Sequence, residues 1–385
     1  MDTAALNTWI EISESAYRQN LDFVRRRLAP GVELSAVVKS NAYGHGWRQI
    51  AELAVRHGAD SFCVHSLDEA LALRGGGFSQ DVLILGHVPL ARLEEAVAEN
   101  FRLILYNLES ARRLAEIATR RGAAVRLHLK IETGTCRQGV EGEELAALLA
   151  FLEERPLLEV EGCSTHFANI EDTTEHGYAE QQLASFESAL ATLREAGFAP
   201  KKRHAACSAA ILLFPETHFD LVRLGISQYG FFSSRETLLS YRNRHGEDGD
   251  AGLTPVLSWK ARISQVKSLP PEALVGYGGT WQTTRPTRLA ILPVGYADGY
   301  DRGLGNQGHV LIRGRRAPVR GRICMNLTMV DVTDIEGVTL EDEAVLIGRQ
   351  GKQEIGAQQL AGLAGTIPYE IVSRLAEHLP RLIVA

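Results

Sequence analysis

The sequence lacks the features of a membrane protein and of a nucleic-acid-binding protein. None of its apolar runs approaches the ~18–20 residues that span a bilayer. It contains no basic block, and 41 Lys and Arg residues against 47 Asp and Glu residues leave a net charge of −6. Proteins bind nucleic acids largely by neutralising phosphate charge with basic residues, so the net negative charge of this chain disfavours nucleic acids as partners. We therefore expect a globular protein that binds neither membranes nor nucleic acids.

Cysteines are few and do not stand in pairs. The five of them are Cys63, Cys136, Cys163, Cys207 and Cys324, and no two form a C-x-x-C spacing. This pattern predicts neither a disulfide framework nor a structural metal site. The first residues, MDTAALNTWIEIS, have neither the basic nor the apolar region of a secretory signal. We expect a cytoplasmic protein.

The first 225 residues contain a regular alternation of short apolar runs and helical segments. Eight runs are predicted to be strands: LSAVVK (34–39), SFCVHS (61–66), DVLILG (81–86), FRLILY (101–106), AVRLHLKI (124–131), LLEVEGCST (157–165), KKRHAAC (201–207) and HFDLVRL (218–224). Strands that alternate with helices are typical of a parallel α/β fold, and eight is the number that closes a (β/α)8 TIM-like barrel. An open doubly wound sheet is the alternative.

The pattern changes after residue 240. Residues 242–255 are polar and rich in glycine, and the short runs beyond them alternate like antiparallel strands without long helices between them. We predict a barrel domain over residues 14–244. A mostly antiparallel β-rich domain is predicted over residues 1–13 and 245–385, with TWIEIS (8–13) as one of its strands.

Lysine is scarce, and one of the seven lysines stands in an unusual place. Lys39 closes an apolar strand and is followed by a turn that contains asparagine and glycine. The C-terminal ends of barrel strands are where such folds hold their active sites. There, burial or neighbouring cations make a lysine a nucleophile toward a carbonyl group. A lysine that merely reaches solvent from a strand end is the alternative.

Polar side chains follow later strands in the same way. They are Lys130 and Arg137 after the fifth strand, His166 after the sixth, Ser208 after the seventh, and Arg223, Gly225 and Ile226 at the eighth. Because the C-terminal ends of barrel strands meet at one face, we expect these residues to lie close together. Such a cluster indicates a ligand site.

These motifs resemble those of the alanine racemase family, the fold-type III pyridoxal phosphate (PLP) enzymes. The similar stretches run in collinear order along nearly the whole chain: AVVKSNAYGHG, KIETGTCRQG, STHFAN, HAACSAA, VRLGISQYG, VGYGGTW, LPVGYADGY, VRGRICMN and GTIPYE. The resemblance implies PLP as cofactor and racemisation of L- and D-alanine, which supplies D-alanine for peptidoglycan precursors. It also implies a homodimer whose active sites are shared between subunits.

The resemblance implies roles for individual residues. Lys39 resembles the lysine that binds PLP covalently and acts as one catalytic base, and Tyr277 resembles the opposite base, which the partner subunit supplies. The residues that match the PLP-binding set are Lys39, Tyr43, Arg137, His166, Ser208, Arg223, Gly225, Ile226 and Tyr369. Arg137 and the backbone N–H of Met325 match the substrate-binding groups. The residues that match the substrate access channel are Glu171, Tyr296, Arg302, Arg322 and Ile367.

Two positions leave alternatives open. Lys130 matches a lysine that is often carbamylated in the family, but an ordinary interaction with Glu132 or with solvent is the alternative. Asn326 stands where the family usually has Asp, which removes a negative charge near Tyr277 and the substrate carboxylate. A broad-specificity or serine-type racemase is therefore an alternative to an alanine racemase. A PLP-binding protein without catalytic activity is a further one.

Overall fold

The chain divides into two compact units. A computed structural model describes residues 3–246 and 252–385. We call Tyr17–Lys39 with Ala51–Thr254 the barrel unit, and Met1–Ala16, Ser40–Ile50 and Pro255–Ala385 the β-rich unit. Within residues 242–255, where the sequence predicts the boundary between the domains, residues 247–251 lie outside the described residues. In the two described ranges, no helix is long and apolar enough to cross a membrane.

The secondary structure follows the predicted pattern of strands. The strands in the described residues are β1 Thr8–Ser13, β2 Glu33–Val37, β3 Ser61–Val64, β4 Asp81–Ile84, β5 Arg102–Leu105, β6 Val125–Lys130, β7 Leu158–Ser164, β8 Lys202–His204, β9 Leu221–Leu224, β10 Leu257–Arg262, β11 Gln265–Leu269, β12 Leu274–Val275, β13 Trp281–Gln282, β14 Thr287–Leu292, β15 His309–Ile312, β16 Arg315–Pro318, β17 Thr328–Asp331, β18 Glu343–Gln350, β19 Gln353–Ile355 and β20 Arg381–Val384. The α-helices are Glu14–Arg25, Trp47–Arg56, Leu67–Gly75, Leu93–Ala98, Leu108–Arg121, Gly142–Glu153, Gly177–Glu195, Ser208–Leu213, Arg235–His245, Ala357–Ala364 and Pro368–Ser373. Short 3-10 helices are Thr3–Ala5, Leu90–Arg92, Pro215–Thr217, Ile226–Tyr229, Tyr277–Gly279, Tyr296–Asp298 and Arg302–Leu304.

The barrel unit contains all eight predicted strands in parallel pairing. Their order is β8-β7-β6-β5-β4-β3-β2-β9. The segments of the two outer strands also meet, because Arg223 N–H donates to Ala206 O at 3.0 Å and Asp220 N–H donates to Arg203 O at 3.1 Å. The sheet is therefore a nearly closed barrel. This confirms the predicted fold class over the open doubly wound sheet.

Local signals in the sequence explain the barrel elements. Strands β3 and β9 are buried at every residue, as expected where one face meets the barrel interior and the other meets helices. Ser66 and Glu69 form a capping box that starts the helix Leu67–Gly75. Gly122, at φ 61°, ends the helix Leu108–Arg121 in the left-handed conformation that glycine tolerates.

The β-rich unit is mainly antiparallel, as predicted. Its largest sheet has the order β16-β15-β18-β10-β1-β20, and β19 pairs with β18. Strand β1 pairs antiparallel with β10, with Ile10 opposite Trp259, so residues 8–13 do belong to this sheet. Two smaller sheets, β11-β14-β17 and β12-β13, complete the unit's strands within the described residues.

The turn that follows Lys39 is left-handed. Ser40, Asn41, Ala42 and Tyr43 have φ angles of 52°, 53°, 52° and 53°. For L-amino acids this conformation costs roughly 1–2 kcal/mol per residue, so four in succession require contacts that hold them. The sequence predicts a turn here but not its handedness.

Arg381 and Gly44 supply such contacts within the β-rich unit. The Arg381 guanidinium donates two hydrogen bonds to the carbonyl oxygen of Gly44, at 3.0 Å from Nε and 2.9 Å from Nη2. Its remaining hydrogen bonds go to carbonyl oxygens of residues 375–379. Gly44 has φ 80°, and a Cβ added there would lie 1.8 Å from the carbonyl oxygen of Val372. The end of the left-handed turn therefore packs directly on the backbone at Val372.

We predict that Gly44→Ala destabilises the protein far more than Gly351→Ala. Both glycines have positive φ, but the nearest atom to a Cβ at Gly351 lies at 3.8 Å. Gly351→Ala should cost about 1 kcal/mol for its backbone conformation alone, and Gly44→Ala about 3 kcal/mol or more, because the clash adds to that cost. Urea unfolding of both variants measures the difference. Equal costs would show that the backbone at Val372 yields easily.

Candidate active site

Side chains at the C-terminal ends of the barrel strands form the candidate active site. Lys130 ends β6, Arg223 lies in β9, and Lys39 and His166 each follow a strand by two residues. Burial, and then the charges of Arg223, Lys130, Arg137 and Lys39, lower the pKa of His166 well below its ordinary value. The barrel therefore brings these five predicted residues into one cationic cluster.

Arg223 is buried and is held by backbone carbonyl oxygens. Its Nη1 donates to His204 O at 2.9 Å, and its Nη2 donates to Thr165 O at 2.8 Å and to Ala205 O at 3.0 Å. Its Nη1 also lies 2.5 Å from His204 Nδ1, and its Nη2 lies 3.4 Å from His166 Nδ1. Because arginine only donates, both imidazole nitrogens must accept. Burial lowers the pKa of Arg223, and for a guanidinium this still leaves a cation.

The pKa values of the two lysines of the cluster, Lys39 and Lys130, are lowered, which favours their neutral amine forms. Burial, and then the charge of Arg137, lowers the pKa of Lys39 below its ordinary value. Burial, and then the charges of Arg223 and Arg137, lowers the pKa of Lys130 well below its ordinary value. A lysine amine that loses its proton readily is a nucleophile and a base. Both properties suit chemistry at a carbonyl group.

Glu132 shapes the loop that carries Arg137. Its carboxylate accepts hydrogen bonds from Gly134 N at 2.6 Å, Thr135 Oγ1 at 3.2 Å and Arg137 N at 3.2 Å. No ion pair joins it to Lys130 among residues 3–246 and 252–385. Burial and then the charges of Arg223 and Arg137 lower the pKa of Lys130, and the charge of Glu132 opposes them, so Lys130 and Glu132 interact through charge at longer range than an ion pair.

Ser208 joins the ends of β8 and β9. Its hydroxyl accepts from the backbone N–H of Gly225 at 3.1 Å and of Ser227 at 3.2 Å. Gly225 directly precedes the 3-10 helix that begins at Ile226. One corner of the barrel mouth therefore contains three predicted residues, Ser208, Gly225 and Ile226. The Ser208 hydroxyl and the backbone N–H of Gly225 meet there.

Sequence reasoning missed two residues of this site, His204 and Ser227. His204 ends β8 and contacts Arg223, but the sequence analysis gave it no role. The available signal was its place at a strand end, four residues before Ser208, in the same motif. Ser227 was missed as well, although it adjoins the predicted Ile226.

Tyr43 and Tyr369 contact each other in the β-rich unit. Their ring centroids lie 5.9 Å apart at an interplanar angle of 46°. Tyr43 ends the left-handed turn, and Tyr369 lies in the first turn of the helix Pro368–Ser373. Two residues of the predicted PLP-binding set, distant in sequence, are thus neighbours.

A second group of predicted residues lines one open pocket of the β-rich unit. Its lining includes Tyr277, Tyr296, Arg302, Arg322, Met325 and Asn326. Tyr277 lies between β12 and β13, with Gly276 and Gly278 at φ 71° and 74°, and its side chain is 73% exposed. A phenol displayed at a hairpin tip is available to a ligand or to another chain.

The backbone at Met325 is held in place by close packing. A Cβ at Gly295 would lie 2.2 Å from Cys324 O and 2.4 Å from Met325 O. The Met325 carbonyl oxygen accepts from Ala297 N at 3.0 Å. Its own N–H donates to no acceptor within residues 3–246 and 252–385, so it remains available to a ligand.

The remaining predicted residues lie elsewhere. Ile367 is 58% exposed in the β-rich unit and is not among the residues that line the pocket. Glu171 belongs to the barrel unit, where its Oε1 accepts a long hydrogen bond from Cys207 Sγ at 3.7 Å.

Comparisons with known proteins agree with both units. The family model for the N-terminal domain of alanine racemase matches residues 12–232, and the model for the C-terminal domain matches residues 256–383. The alanine racemase of Symbiobacterium thermophilum is 42% identical over 374 residues, which cover 97% of this chain and 96% of that protein.

Two further relatives span the same length. The alanine racemase of Leptospira interrogans serogroup Icterohaemorrhagiae serovar Lai is 40% identical over 380 residues, 98% of this chain and 96% of that protein. Among solved structures, the alanine racemase from Streptomyces coelicolor A3(2) superposes with a TM-score of 0.91 at 35% identity and covers 99% of both chains.

Proposed function

The chain belongs to the alanine racemase family and interconverts L- and D-alanine, and we propose that it does so with PLP bound at the mouth of the barrel. The observation that carries this proposal is the cluster around Arg223, which collects two lysines of lowered pKa and a second arginine at one barrel face. This cluster favours a catalytic enzyme over a PLP-binding protein without catalytic activity, which the sequence left open.

The donor set of the site fits PLP. Lys39 offers an amine for the aldehyde of PLP. The Ser208 oxygen accepts from the N–H groups of Gly225 and Ser227, so its hydroxyl hydrogen is left to donate to the phosphate of PLP, beside which Gly225 and Ile226 are proposed to lie. Tyr43 and Tyr369 are proposed as further ligands of the phosphate, as the resemblance to the family implies. When bound, PLP withdraws electrons from the α-carbon of an amino acid and so makes its α-proton acidic.

Arg223 is proposed to meet the pyridine nitrogen of PLP, with His166 beside it. A guanidinium that stays protonated would disfavour protonation of that nitrogen, because two cations would then be in contact. Arg223 would thereby keep the bound ring a moderate electron sink, which favours racemisation over side reactions. Arg137 is proposed to contact the phenolic oxygen of PLP and the substrate carboxylate.

Racemisation requires a base on each face of the α-carbon. We assign Lys39 to one face and Tyr277 of the partner subunit to the other. The 73% exposure of Tyr277 at a hairpin tip supports its contribution to another chain. The backbone N–H of Met325 of the partner subunit would hold the substrate carboxylate, because that N–H has no acceptor in the described residues. The proposed assembly is therefore a homodimer with shared sites.

Lys130 is proposed to carry a carbamate. A neutral amine attacks CO2, forms an N–C bond and releases one proton, and the product is an anion. The low pKa of Lys130 supplies the neutral amine, and the charges of Arg223 and Arg137 that lower it would stabilise the product. The anion would in turn orient Arg137.

We predict that Lys39→Ala abolishes covalent attachment of PLP and lowers kcat for alanine racemisation by about 10³-fold or more, because one base is lost. Lys201→Ala, at an exposed position of the same unit, is the matched control. Borohydride reduction followed by peptide mass spectrometry locates the attached cofactor. A label on any lysine but Lys39 would refute the assignment.

We predict that two inactive variants restore activity when mixed. In a dimer of one Lys39→Ala and one Tyr277→Phe subunit, one site keeps both bases if the sites are shared. Random exchange should recover about a quarter of the wild-type activity, because half of the dimers are mixed and each has one intact site. Absence of recovery after mass spectrometry has verified subunit exchange would place both bases in one chain.

We predict that Asn326→Asp weakens substrate binding. A carboxylate ~6 Å from that of alanine repels it by about 3 kcal/mol at an effective dielectric constant of 20, before screening in an open pocket. After screening we expect the KM for both alanine enantiomers to rise about 5-fold. Asn100→Asp, an exposed position in the barrel unit, controls for the added charge. The same assays with serine test the wider substrate range, and unchanged KM values would leave Asn326 without a role.

A further inference from the structure

Behind Arg223, a chain of polar side chains crosses the interior of the barrel unit. His204 Nε2 lies 2.8 Å from His128 Nδ1, and His128 Nε2 lies 3.4 Å from Glu161 Oε2. The same carboxylate oxygen accepts from Arg102 Nε at 3.1 Å, and Arg102 also pairs with Asp81. His128 and His204 are both buried. The function proposed above uses neither His128 nor Glu161.

The two ends of this chain determine the direction of every hydrogen bond in it. Arg223 can only donate, so His204 Nδ1 accepts and the proton of His204 must lie on Nε2. His204 then donates to His128 Nδ1, and His128 donates from Nε2 to the carboxylate of Glu161. Reversing any one tautomer would place two N–H groups or two lone pairs against each other.

The charges in the barrel interior agree with this arrangement. Burial lowers the pKa of His128, and burial followed by the charge of Arg223 lowers that of His204 well below its ordinary value. Burial alone would raise the pKa of Glu161, but the hydrogen bond from His128 and the charge of Arg102 lower it to about 2. Both imidazoles are therefore neutral, and Glu161 is a permanent acceptor.

Gly162 provides the space that the chain requires. It pairs with His128 in the β6–β7 register, at a point where that register shifts. A Cβ at Gly162 would lie 2.4 Å from His128 Nδ1 and 2.6 Å from its Cγ. The φ of Gly162 is ordinary, so the glycine serves the imidazole ring and not the backbone conformation.

We infer that Glu161 and His128 are positioning residues, which act through His204 to fix the orientation of Arg223 toward the cofactor. This inference rests on the proposed function, because Arg223 matters only if it faces PLP. Without the acceptor at Glu161, the proton of His128 can move to Nδ1. His204 must then move its own proton to Nδ1, where it opposes the N–H of Arg223.

The test measures the tautomers of His128 and His204 and the racemase activity of the same full-length enzyme. Two-bond ¹⁵N–¹H spectra of histidine-labelled protein, with and without PLP, identify which ring nitrogen carries the proton. In the wild type we expect His128 and His204 to be protonated at Nε2 alone. Glu161→Leu should change both tautomers and lower kcat about 10-fold with little change in KM. Glu161→Gln keeps a carbonyl acceptor and should restore both tautomers.

Gly162→Ala tests the space for the ring. It should shift the His128 signals and lower kcat, whereas Gly75→Ala, with no atom within 4 Å of its added Cβ, should change neither. Protonation of wild-type His204 at Nδ1 would overturn the inference, and this result does not depend on whether any variant folds. A lower kcat in Glu161→Leu with unchanged tautomers would also overturn it. If PLP does not attach to Lys39, the proposed function is refuted. The histidine tautomers can still be determined in that case, because the spectra are also recorded without PLP.

Discussion

The candidate active site depends on how the barrel holds a buried cation, Arg223. No carboxylate pairs with it among residues 3–246 and 252–385, and an uncompensated buried charge would cost several kcal/mol. The carbonyl oxygens of Thr165, His204 and Ala205 offset this cost. These oxygens converge only because the ends of β7, β8 and β9 meet in a nearly closed barrel.

Arg223 and Arg137 influence the protonation of their neighbours in the barrel. His166 and His204 must stay neutral because each presents a lone pair to a guanidinium. Burial, and then the charge of Arg223 on Lys130 and of Arg137 on Lys39, lowers the pKa of both amines, so they lose protons more readily than exposed lysines do. An excess of positive charge at the barrel mouth suits a dianionic phosphate and an amino-acid carboxylate, and the neutral amines suit proton transfer.

Much of the fold could be predicted from short-range patterns. The eight barrel strands appear within a few residues of their predicted positions because buried β-branched runs alternate with amphipathic helices. The placement of Lys39, Lys130 and Arg223 at one face follows from strand direction alone. The left-handed turn after Lys39 could not be predicted, because its conformation is held by Arg381 and Gly44, and Arg381 lies more than 300 residues further along the chain. Likewise, nothing near Glu161 in the sequence indicates His128 or His204.

By itself, the sequence determined which residue types stand at which strand ends, because strand direction and alternation are local properties of the chain. From this followed the barrel, the position of the reactive lysine and the resemblance to the alanine racemase family. Only the tertiary structure decided the protonation and orientation of those residues. Burial, the closure of β9 against β8 and the packing of Gly162 on His128 join groups that are distant in sequence. Electrostatic fields and hydrogen-bond directions depend on distances in space, which no local pattern encodes.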